Sequence, residues 1–312
     1  MRETCVTRRR ALLIIAGVTS VLVARKRAEA TVEWRGTALG AEARIVLACR
    51  DQATGRSMIA ECIAETDRLE EIFSLYRTSS EIARLNYQGF LNGASPEFRQ
   101  LLHQCQRLHA LTDGLFDPTV QPLWRAYAEA GRGDRSRKDL CEAARAELLG
   151  RIGMNRVQVN RGDLVMAEGT ELTLNGVAQG YITDRIAEVL ARRGYRNVLI
   201  DLGEVRVLGP EDGQDFSIEW REVGRRLALR NAALAVSTAD ALIFPGASGA
   251  THIIHPRTGL TPRYWKSVAV RHASATIADA LSTALTLASP QEAPRIMSRI
   301  PEAQAWTVAH NG

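Results

Sequence analysis

The 312-residue sequence lacks the short motifs of the common nucleotide-binding and hydrolase folds. It has no GxGxxG after a strand pattern, no GxxxxGK[ST] phosphate loop, no HExxH and no GxSxG. These absences argue against a Rossmann dinucleotide domain, a P-loop enzyme, an HExxH metallopeptidase and an α/β-hydrolase. No internal repeat or low-complexity linker divides the chain. Its chemistry must therefore be sought in less familiar groups of residues.

The sequence also lacks cysteine pairs of the CxxC type. Four of its five cysteines lie beyond residue 30, namely Cys49, Cys62, Cys105 and Cys141. An even number allows disulfides in an oxidising compartment, but a chain of this length can stabilise a core without them. Cys62 and Cys105 fall at apolar positions of predicted helices, so we predict buried thiols rather than disulfides.

The body of the chain lacks net charge. The formal net charge of +5 comes from residues 1–30, which contain seven of the 40 Lys and Arg residues and two of the 35 Asp and Glu residues. Residues 31–312 therefore hold 33 basic and 33 acidic side chains. A neutral surface has no field that would follow a phosphate backbone, so we predict no nucleic-acid partner.

The N-terminal apolar run is too short to cross a bilayer, which takes about 20 residues. It covers the 14 residues Ala11–Ala24, follows Arg8–Arg10 and precedes Ala28–Ala30. A basic start, a short apolar stretch and a small-x-small site are typical of an export signal. We therefore predict a twin-arginine-like export signal at 1–30, a mature domain at 31–312 and a periplasmic location. An uncleaved membrane anchor is the alternative.

Apolar periodicity predicts helices and strands that intermix without the regular alternation of a doubly wound sheet. The charged stretch 128–149 is predicted to be a surface excursion. The pattern favours an α/β or α+β fold, a single domain with mixed sheets and packed helices. The predicted helices cover 56–74, 95–114, 178–194 and 275–288, and the predicted strands cover 197–202, 233–237, 267–270 and 303–309.

A carboxylate and a hydroxyl lie four residues apart in the helical stretch "IADALSTAL". At this spacing Asp279 and Thr283 project from one face of the helix. Hard oxygen ligands of this kind suit Mg²⁺, especially when substrate phosphates complete the coordination. A polar stripe on an ordinary amphipathic helix is the alternative.

The stretch "LTLNGVAQGYITD", 172–184, resembles the end of an apolar strand followed by a glycine-containing turn into a helix. With Gly176 and Gly180 before a helix start, anions can bind to the backbone N–H groups and carbonyls can turn toward a metal. A plain strand-to-helix turn would give the same pattern.

Two other loops carry candidate ligand-binding side chains. Tyr76 lies between the end of an apolar helix and a Ser-Ser-Glu cap, where it could stack on a planar ligand or simply pack. Phe116 and Asp117 precede Pro118, which excludes helical geometry at Asp117 and favours either a rigid turn or a loop that recognises the edge of a ring.

The segment "THIIHPRTG", 251–259, contains two histidines three residues apart. Pro256 disfavours a helical conformation at His255, so His252 and His255 cannot share a helix face. In an extended segment they point to opposite sides. Joint metal coordination, as in a histidine-metal hydrolase, is therefore the least favoured interpretation. We expect one histidine to face a site and the other to face solvent or the turn.

Six segments in chain order resemble the ApbE-type FAD:protein FMN transferases over nearly all of 31–312. They are "ALGA" (38–41), "SLYRTSSEIARLN" (74–86), "FDPTV" (116–120), "GVAQGYITD" (176–184), "HIIHPRTG" (252–259) and "ADALSTA" (278–284). The resemblance implies an ApbE-like catalytic domain that uses Mg²⁺ to split FAD as a substrate. The FMN phosphate is joined to a Thr or Ser hydroxyl of a target protein, and AMP is released. The expected partner is an exported or membrane-bound electron-transfer subunit.

The same resemblance implies roles for individual residues. It predicts a metal site formed by Asp279, Thr283 and a backbone carbonyl near Gly176. His252 is expected beside the pyrophosphate, and we assign it the removal of the acceptor's proton. The residues expected to contact FAD are Leu39, Tyr76, Phe116, Asp117, Thr173, Gln179 and His252.

Four positions depart from the family pattern. Gln179 replaces a lysine, Thr173 and His255 replace aspartates, and Ala41 replaces a threonine. These changes affect the expected rate and FAD affinity more than the reaction class. A flavin-binding protein without transfer activity and a Mg²⁺-dependent FAD pyrophosphatase that yields FMN and AMP are the alternatives.

Overall fold

The computed structural model describes residues 18–22, 30–130, 140–209, 215–244 and 249–310. The eight helices of these residues are α1 Gln52–Phe73, α2 Glu81–Gln88, α3 Pro96–Leu111, α4 Gln121–Ala130, α5 Glu142–Leu149, α6 Ala178–Arg192, α7 Ala275–Leu287 and α8 Glu292–Met297. Their starts follow local capping chemistry, since Asp51, Ser80, Ser95 and Ser274 each accept a backbone N–H of the first turn.

Seven antiparallel strands form the central sheet, in the order β13-β12-β11-β8-β7-β3-β2. Two three-stranded antiparallel sheets, β1-β9-β10 and β4-β6-β5, flank it. The described strands are β1 Val18–Leu22, β2 Ala30–Ala38, β3 Ala41–Cys49, β4 Phe90–Leu91, β5 Val157–Asn160, β6 Asp163–Met166, β7 Val198–Asp201, β8 Val205–Leu208, β9 Phe216–Trp220, β10 Arg225–Leu229, β11 Ala233–Thr238, β12 Trp265–His272 and β13 Gln304–Ala309.

The central sheet is buried on both faces. Val198 and Ile200 of β7 pack into the core formed with the helices, whereas Leu199 packs into a second core with β9 and β10. Alternate side chains of a strand point to opposite faces, so a strand covered on both sides must be apolar throughout. This explains why Val198, Leu199 and Ile200 are all apolar in the predicted strand 197–202. The predicted fold class is confirmed: helices and antiparallel sheets form a single mixed domain.

Helix α7 is almost entirely buried and packs on α6, β11 and β12. Its small side chains permit this contact. At Gly180 of α6, a Cβ atom would lie 2.4 Å from the Ala275 carbonyl oxygen, so only glycine allows the two helices to approach this closely. The close crossing holds one face of α7 against the start of α6.

The predicted strand end at 172–174 is wrong. The backbone N–H of Leu172 donates to Asn86 Oδ1 at 2.8 Å, and that of Thr173 donates to the Pro118 carbonyl at 2.8 Å. These bonds to a side chain and a loop replace a strand ladder. Helix α6 begins at Ala178, so Gly180 lies in its first turn rather than before it.

The four described cysteines are free thiols. Cys49, Cys62 and Cys105 are buried, and burial raises the pKa of the Cys62 thiol to about 12. Cys141 departs from the prediction of buried thiols, because it is exposed at the position preceding α5. Helix α5 itself has no fully buried residue, and 131–139 of the predicted surface excursion lie outside the described residues.

Within the predicted export signal, Val18–Leu22 forms β1 and pairs with β9. The other residues of 1–29 lie outside the described part of the chain. Among the described residues, none of the helices combines the length and the apolar character that a bilayer span requires.

Candidate active site

Two adjoining cavities lie where α7, the start of α6 and the ends of several sheet strands meet. They share Asn175 and Gln179. The larger cavity brings together most of the residues predicted from the sequence, namely Phe116, Asp117, Thr173, Gly176, Gln179, His252, Asp279 and Thr283. Leu39 and Tyr76 line the smaller cavity. The structure thus collects all the predicted site residues in one region.

Asp279 and Thr283 face the larger cavity from α7. Asp279 Oδ2 accepts the backbone N–H of Gly180 at 3.1 Å. Burial, opposed by the Gly180 N–H and aided by the charge of Asp184, raises the pKa of this carboxyl to about 7. A buried carboxylate without a basic partner is costly, so a bound cation would stabilise it.

Gly176 lies directly against Thr283. A Cβ atom at Gly176 would be 2.9 Å from Thr283 Oγ1, so a side chain at this position would occupy the space beside the hydroxyl. Carboxylate, hydroxyl and backbone carbonyl are the hard oxygen donors that Mg²⁺ prefers, with waters and phosphates as its other ligands. Within the described ranges, no group of three or more His, Cys, Asp or Glu residues could hold a metal. The oxygen donors available here fit Mg²⁺.

A network around Asp184 anchors the start of α7. Its carboxylate accepts the Ser274 hydroxyl at 2.6 Å, the Ala275 N–H at 2.8 Å and both the N–H and the hydroxyl of Thr276 at 3.0 and 2.8 Å. Arg206 forms an ion pair with the same carboxylate. Asp184 belongs to α6, so this network fixes the helix that carries Asp279 relative to the helix that begins at the cavity.

The two histidines of 251–259 lie in different environments. His252 lines the larger cavity, and its Nδ1 lies 3.3 Å from the Leu242 carbonyl oxygen. Because a carbonyl can only accept, this contact assigns the proton to Nδ1 and leaves Nε2 as an acceptor. Burial lowers the pKa of His252, which favours the neutral ring.

His255 is outside both of these cavities. Its Nδ1 accepts the Arg257 N–H at 3.2 Å, and its carbonyl accepts the Gly259 N–H at 2.8 Å within a tight turn. The two rings therefore lie in separate environments, with His252 at the cavity and His255 in the turn.

Asp117 is buried and has the extended backbone that Pro118 predicts, with φ −139° and ψ 105°. Its Oδ1 accepts the N–H and hydroxyl of Thr119 at 2.9 and 2.6 Å, and His109 Nδ1 lies 3.4 Å from Oδ2. Burial raises the pKa of Asp117, and these donors limit the rise. The carboxyl is held rigidly on the cavity wall beside Phe116.

The smaller cavity begins at a tight turn between β2 and β3. Leu39 has a positive φ of 50°, and its N–H donates to Glu70 Oε1 at 2.6 Å, which stabilises this unusual conformation. Tyr76 is about half exposed and lines this cavity, so its ring is accessible to a ligand. Ala41 begins β3 and lines neither cavity.

Glu204 is a cavity residue that sequence reasoning missed. It lies between β7 and β8, is 7% exposed and lines the larger cavity. Burial raises its pKa well above the usual range, the charges of Asp279 and Asp201 add to the rise, and the Val236 N–H opposes it. The only local signal was an acidic residue directly after an apolar strand and a glycine, a common arrangement in turns.

The fold is that of the ApbE-type flavin transferases. The apo form of the Pseudomonas stutzeri flavinyl transferase ApbE superposes with a TM-score of 0.80 at 22% identity, over 92% of this chain and 95% of that one. The ApbE protein of Thermotoga maritima has a TM-score of 0.78 at 25% identity, over 90% and 94% of the two chains.

The sequence relationship leads to the same class. FAD:protein FMN transferases of Vibrio cholerae and Haemophilus influenzae are 30% and 25% identical, over 71% and 72% of this chain and 71% of each relative. A model of the ApbE family matches residues 39–307. The chain therefore belongs to the ApbE family, and the predicted family and enzyme class are confirmed.

Proposed function

We propose that this chain transfers the FMN moiety of FAD to a Thr or Ser hydroxyl of a target protein, with Mg²⁺, and releases AMP. The observation that supports this most directly is the meeting of Asp279, Thr283, Gly176 and His252 in one cavity. These residues come from three separate segments of the chain. They combine a hard-oxygen cation site with a neutral histidine, which are the two elements that phosphoryl transfer to a hydroxyl requires.

The charge of the cavity supports the need for a cation. No Lys or Arg is among the described residues that line the two cavities, whereas Asp117, Glu204 and Asp279 line the larger one. A pyrophosphate bound there would meet carboxyl groups without any basic side chain. Asp279, Thr283 and a carbonyl near Gly176 would hold Mg²⁺, which when bound neutralises phosphate charge.

His252 is suited to accept the proton of the acceptor hydroxyl. The hydroxyl oxygen forms a bond to the phosphorus of the FMN half, and the bond from that phosphorus to the bridging oxygen breaks. AMP leaves with the bridging oxygen, and the hydroxyl proton passes to His252 Nε2. The Leu242 carbonyl holds the ring in the tautomer that this step needs.

The remaining cavity residues are assigned to FAD. Leu39 and Tyr76 are proposed to contact the isoalloxazine ring, since they line the smaller cavity and the Tyr76 ring is about half exposed. Phe116 and Asp117 form the adjoining wall. Thr173 and Gln179 also line the larger cavity and are proposed as hydrogen-bonding partners of FAD.

The acceptor is proposed to be an exported or membrane-bound electron-transfer subunit. This inference depends on the twin-arginine-like segment at 1–30, which would place the mature enzyme in the periplasm. The neutral charge balance of 31–312 is compatible with a protein partner rather than a nucleic acid.

The test is to incubate the purified chain with FAD, Mg²⁺ and exported acceptor domains, and to look for covalent flavin fluorescence in a denaturing gel. Asp279→Ala and Thr283→Ala should abolish labelling. Thr286→Ala is the matched control, because Thr286 is a buried hydroxyl of the same helix that does not line the cavity. FMN and AMP released without any labelled acceptor would indicate a pyrophosphatase, and tightly bound intact FAD would indicate a binding protein.

A further inference from the structure

Glu204 is a buried carboxyl whose charge has no evident structural purpose. Its backbone is already fixed, because its carbonyl accepts the Leu202 N–H at 3.3 Å and the Thr183 hydroxyl at 3.5 Å. No ion pair of Glu204 occurs among the residues that the structure describes. Burying a carboxylate without a basic partner opposes folding, so a function is the more economical explanation of the charge.

Among the described residues, the Val236 N–H hydrogen-bonds to the side chain and opposes the rise of its pKa. Strand β11 pairs with β8 only at Ala233 and Leu234, so the strand pairing ends before Val236. The Glu204 carboxyl therefore accepts the Val236 N–H in place of a backbone carbonyl of the neighbouring strand. A glutamine could accept the same bond through its amide oxygen. The hydrogen bond therefore explains an acceptor at this position but not a negative charge.

A short series of contacts connects Glu204 to the cation site. The preceding residue, Gly203, has φ +104°, and a Cβ atom there would lie 2.5 Å from Gln179 Nε2. Gln179 is followed by Gly180, whose N–H donates to Asp279. The contacts thus run from Gly203 through the Gln179 side chain and the Gly180 N–H to Asp279, and Glu204 and Asp279 line the same cavity.

We propose that Glu204 is a positioning residue for the divalent cation, which it stabilises by accepting hydrogen bonds from the waters that the cation retains. The inference rests on the proposed function, since it assumes the cation site at Asp279. Mg²⁺ keeps several waters when a protein supplies only one or two carboxylates, and those waters need acceptors on the cavity wall. A second carboxylate also adds negative charge that attracts a divalent cation, and no Lys or Arg is among the described residues that line this cavity.

The experiment measures Mn²⁺ binding to the purified full chain by electron paramagnetic resonance, with and without FAD. Glu204→Gln should weaken Mn²⁺ binding by about tenfold or more, the usual effect of removing an outer partner of a metal site. Its metal-free melting temperature should be unchanged or higher, because the amide can keep the Val236 hydrogen bond and no longer carries the cost of burying an ionisable carboxyl. A residue with only a structural role would change in the opposite way, with lower stability and unchanged affinity.

Asp201→Asn is the matched control. Asp201 is a carboxyl three residues earlier whose pKa burial also raises, but it does not line either cavity. We expect its Mn²⁺ affinity to stay within about twofold of the wild type. Glu204→Asp, which keeps the charge, should retain most of the affinity and provides the measurement if Glu204→Gln does not fold.

The inference is overturned if Glu204→Gln binds Mn²⁺ within twofold of the wild type, or if Glu204→Asp loses as much affinity as Glu204→Gln. Wild-type chain that binds Mn²⁺ but labels no acceptor would contradict the proposed transfer, while the comparison of variants would still decide the role of Glu204. Wild-type chain that binds no Mn²⁺ would overturn both.

Discussion

Replacing Gly176 by alanine should weaken divalent-cation binding and flavin transfer together. The added methyl carbon would lie 2.9 Å from Thr283 Oγ1 and 3.3 Å from its Cγ2. Ordinary contacts begin near 3.4 Å, so the loop or the Thr283 side chain must move by about 0.5 Å. Gly176 does not have a positive φ, so the methyl group is the main perturbation.

The expected loss of affinity follows from the strict geometry of magnesium. Its oxygen ligands lie at about 2.0–2.1 Å in a near-ideal octahedron, so a displacement of about 0.5 Å is a quarter of the bond length. We expect at least a tenfold loss of Mn²⁺ or Mg²⁺ affinity, which corresponds to about 1.4 kcal/mol. The assay is Mn²⁺ titration followed by electron paramagnetic resonance, with FMN transfer measured on the same preparations.

Gly55→Ala provides a matched steric control. A Cβ atom at this buried position of α1 would lie 2.7 Å from both Cys49 Sγ and Val32 Cγ2, away from the cavities. It should lower the free energy of unfolding by about 1–3 kcal/mol through overpacking and leave cation affinity unchanged. If Gly176→Ala binds Mn²⁺ within twofold of the wild type and turns over normally, the metal site has been placed wrongly.

Three other predictions follow from the buried polar groups. His252→Gln should lower the transfer rate by about 10²–10⁴-fold with unchanged Mn²⁺ affinity. The wild-type rate should decrease at pH values below the lowered pKa of His252, because the ring is then protonated and cannot accept a proton. Asp184→Asn should lower the free energy of unfolding in urea by about 2 kcal/mol and weaken Mn²⁺ binding, since it disrupts the start of α7. Burial raises the pKa of Asp201 to about 6, so between about pH 4 and pH 6 the folded state holds a proton that the unfolded state has lost. The free energy of unfolding therefore decreases as the pH rises through this range. Asp201→Asn should remove up to about 3 kcal/mol of this pH dependence. A pH-independent wild-type rate would contradict the role of His252. An unchanged free energy of unfolding in Asp184→Asn would contradict the role of Asp184 at the start of α7. An unchanged dependence of stability on pH in Asp201→Asn would contradict the assignment to Asp201.

Much of the architecture could be predicted because it depends on local patterns. The predicted helices at 56–74 and 95–114 correspond to α1 and α3, and Ser80 and Ser95 cap the starts of α2 and α3. The i,i+4 spacing of Asp279 and Thr283 placed two oxygens on one helix face, and Pro118 predicted the extended backbone of Asp117. Such features follow from covalent geometry and hydrogen bonding within a few residues.

The segment 172–174 shows where local patterns fail. Its apolar alternation predicts a strand, but its N–H groups bind Asn86 and Pro118, which are more than 50 positions away in the chain. Backbone groups must find partners, and the nearest partners here are supplied by tertiary packing rather than by a neighbouring strand. Sequence periodicity cannot distinguish these two cases.

By itself, the sequence determined the helix carrying Asp279 and Thr283, the separate orientations of the two histidines and the family to which the chain belongs. Only the tertiary structure brought Gly176 against Thr283 and Glu204 into the same cavity as Asp279. The physical reason is that burial and electrostatic repulsion depend on distance in space. Glu204 lies between β7 and β8 and Asp279 lies in α7, so the two come to line one cavity only when the sheet packs against the helices.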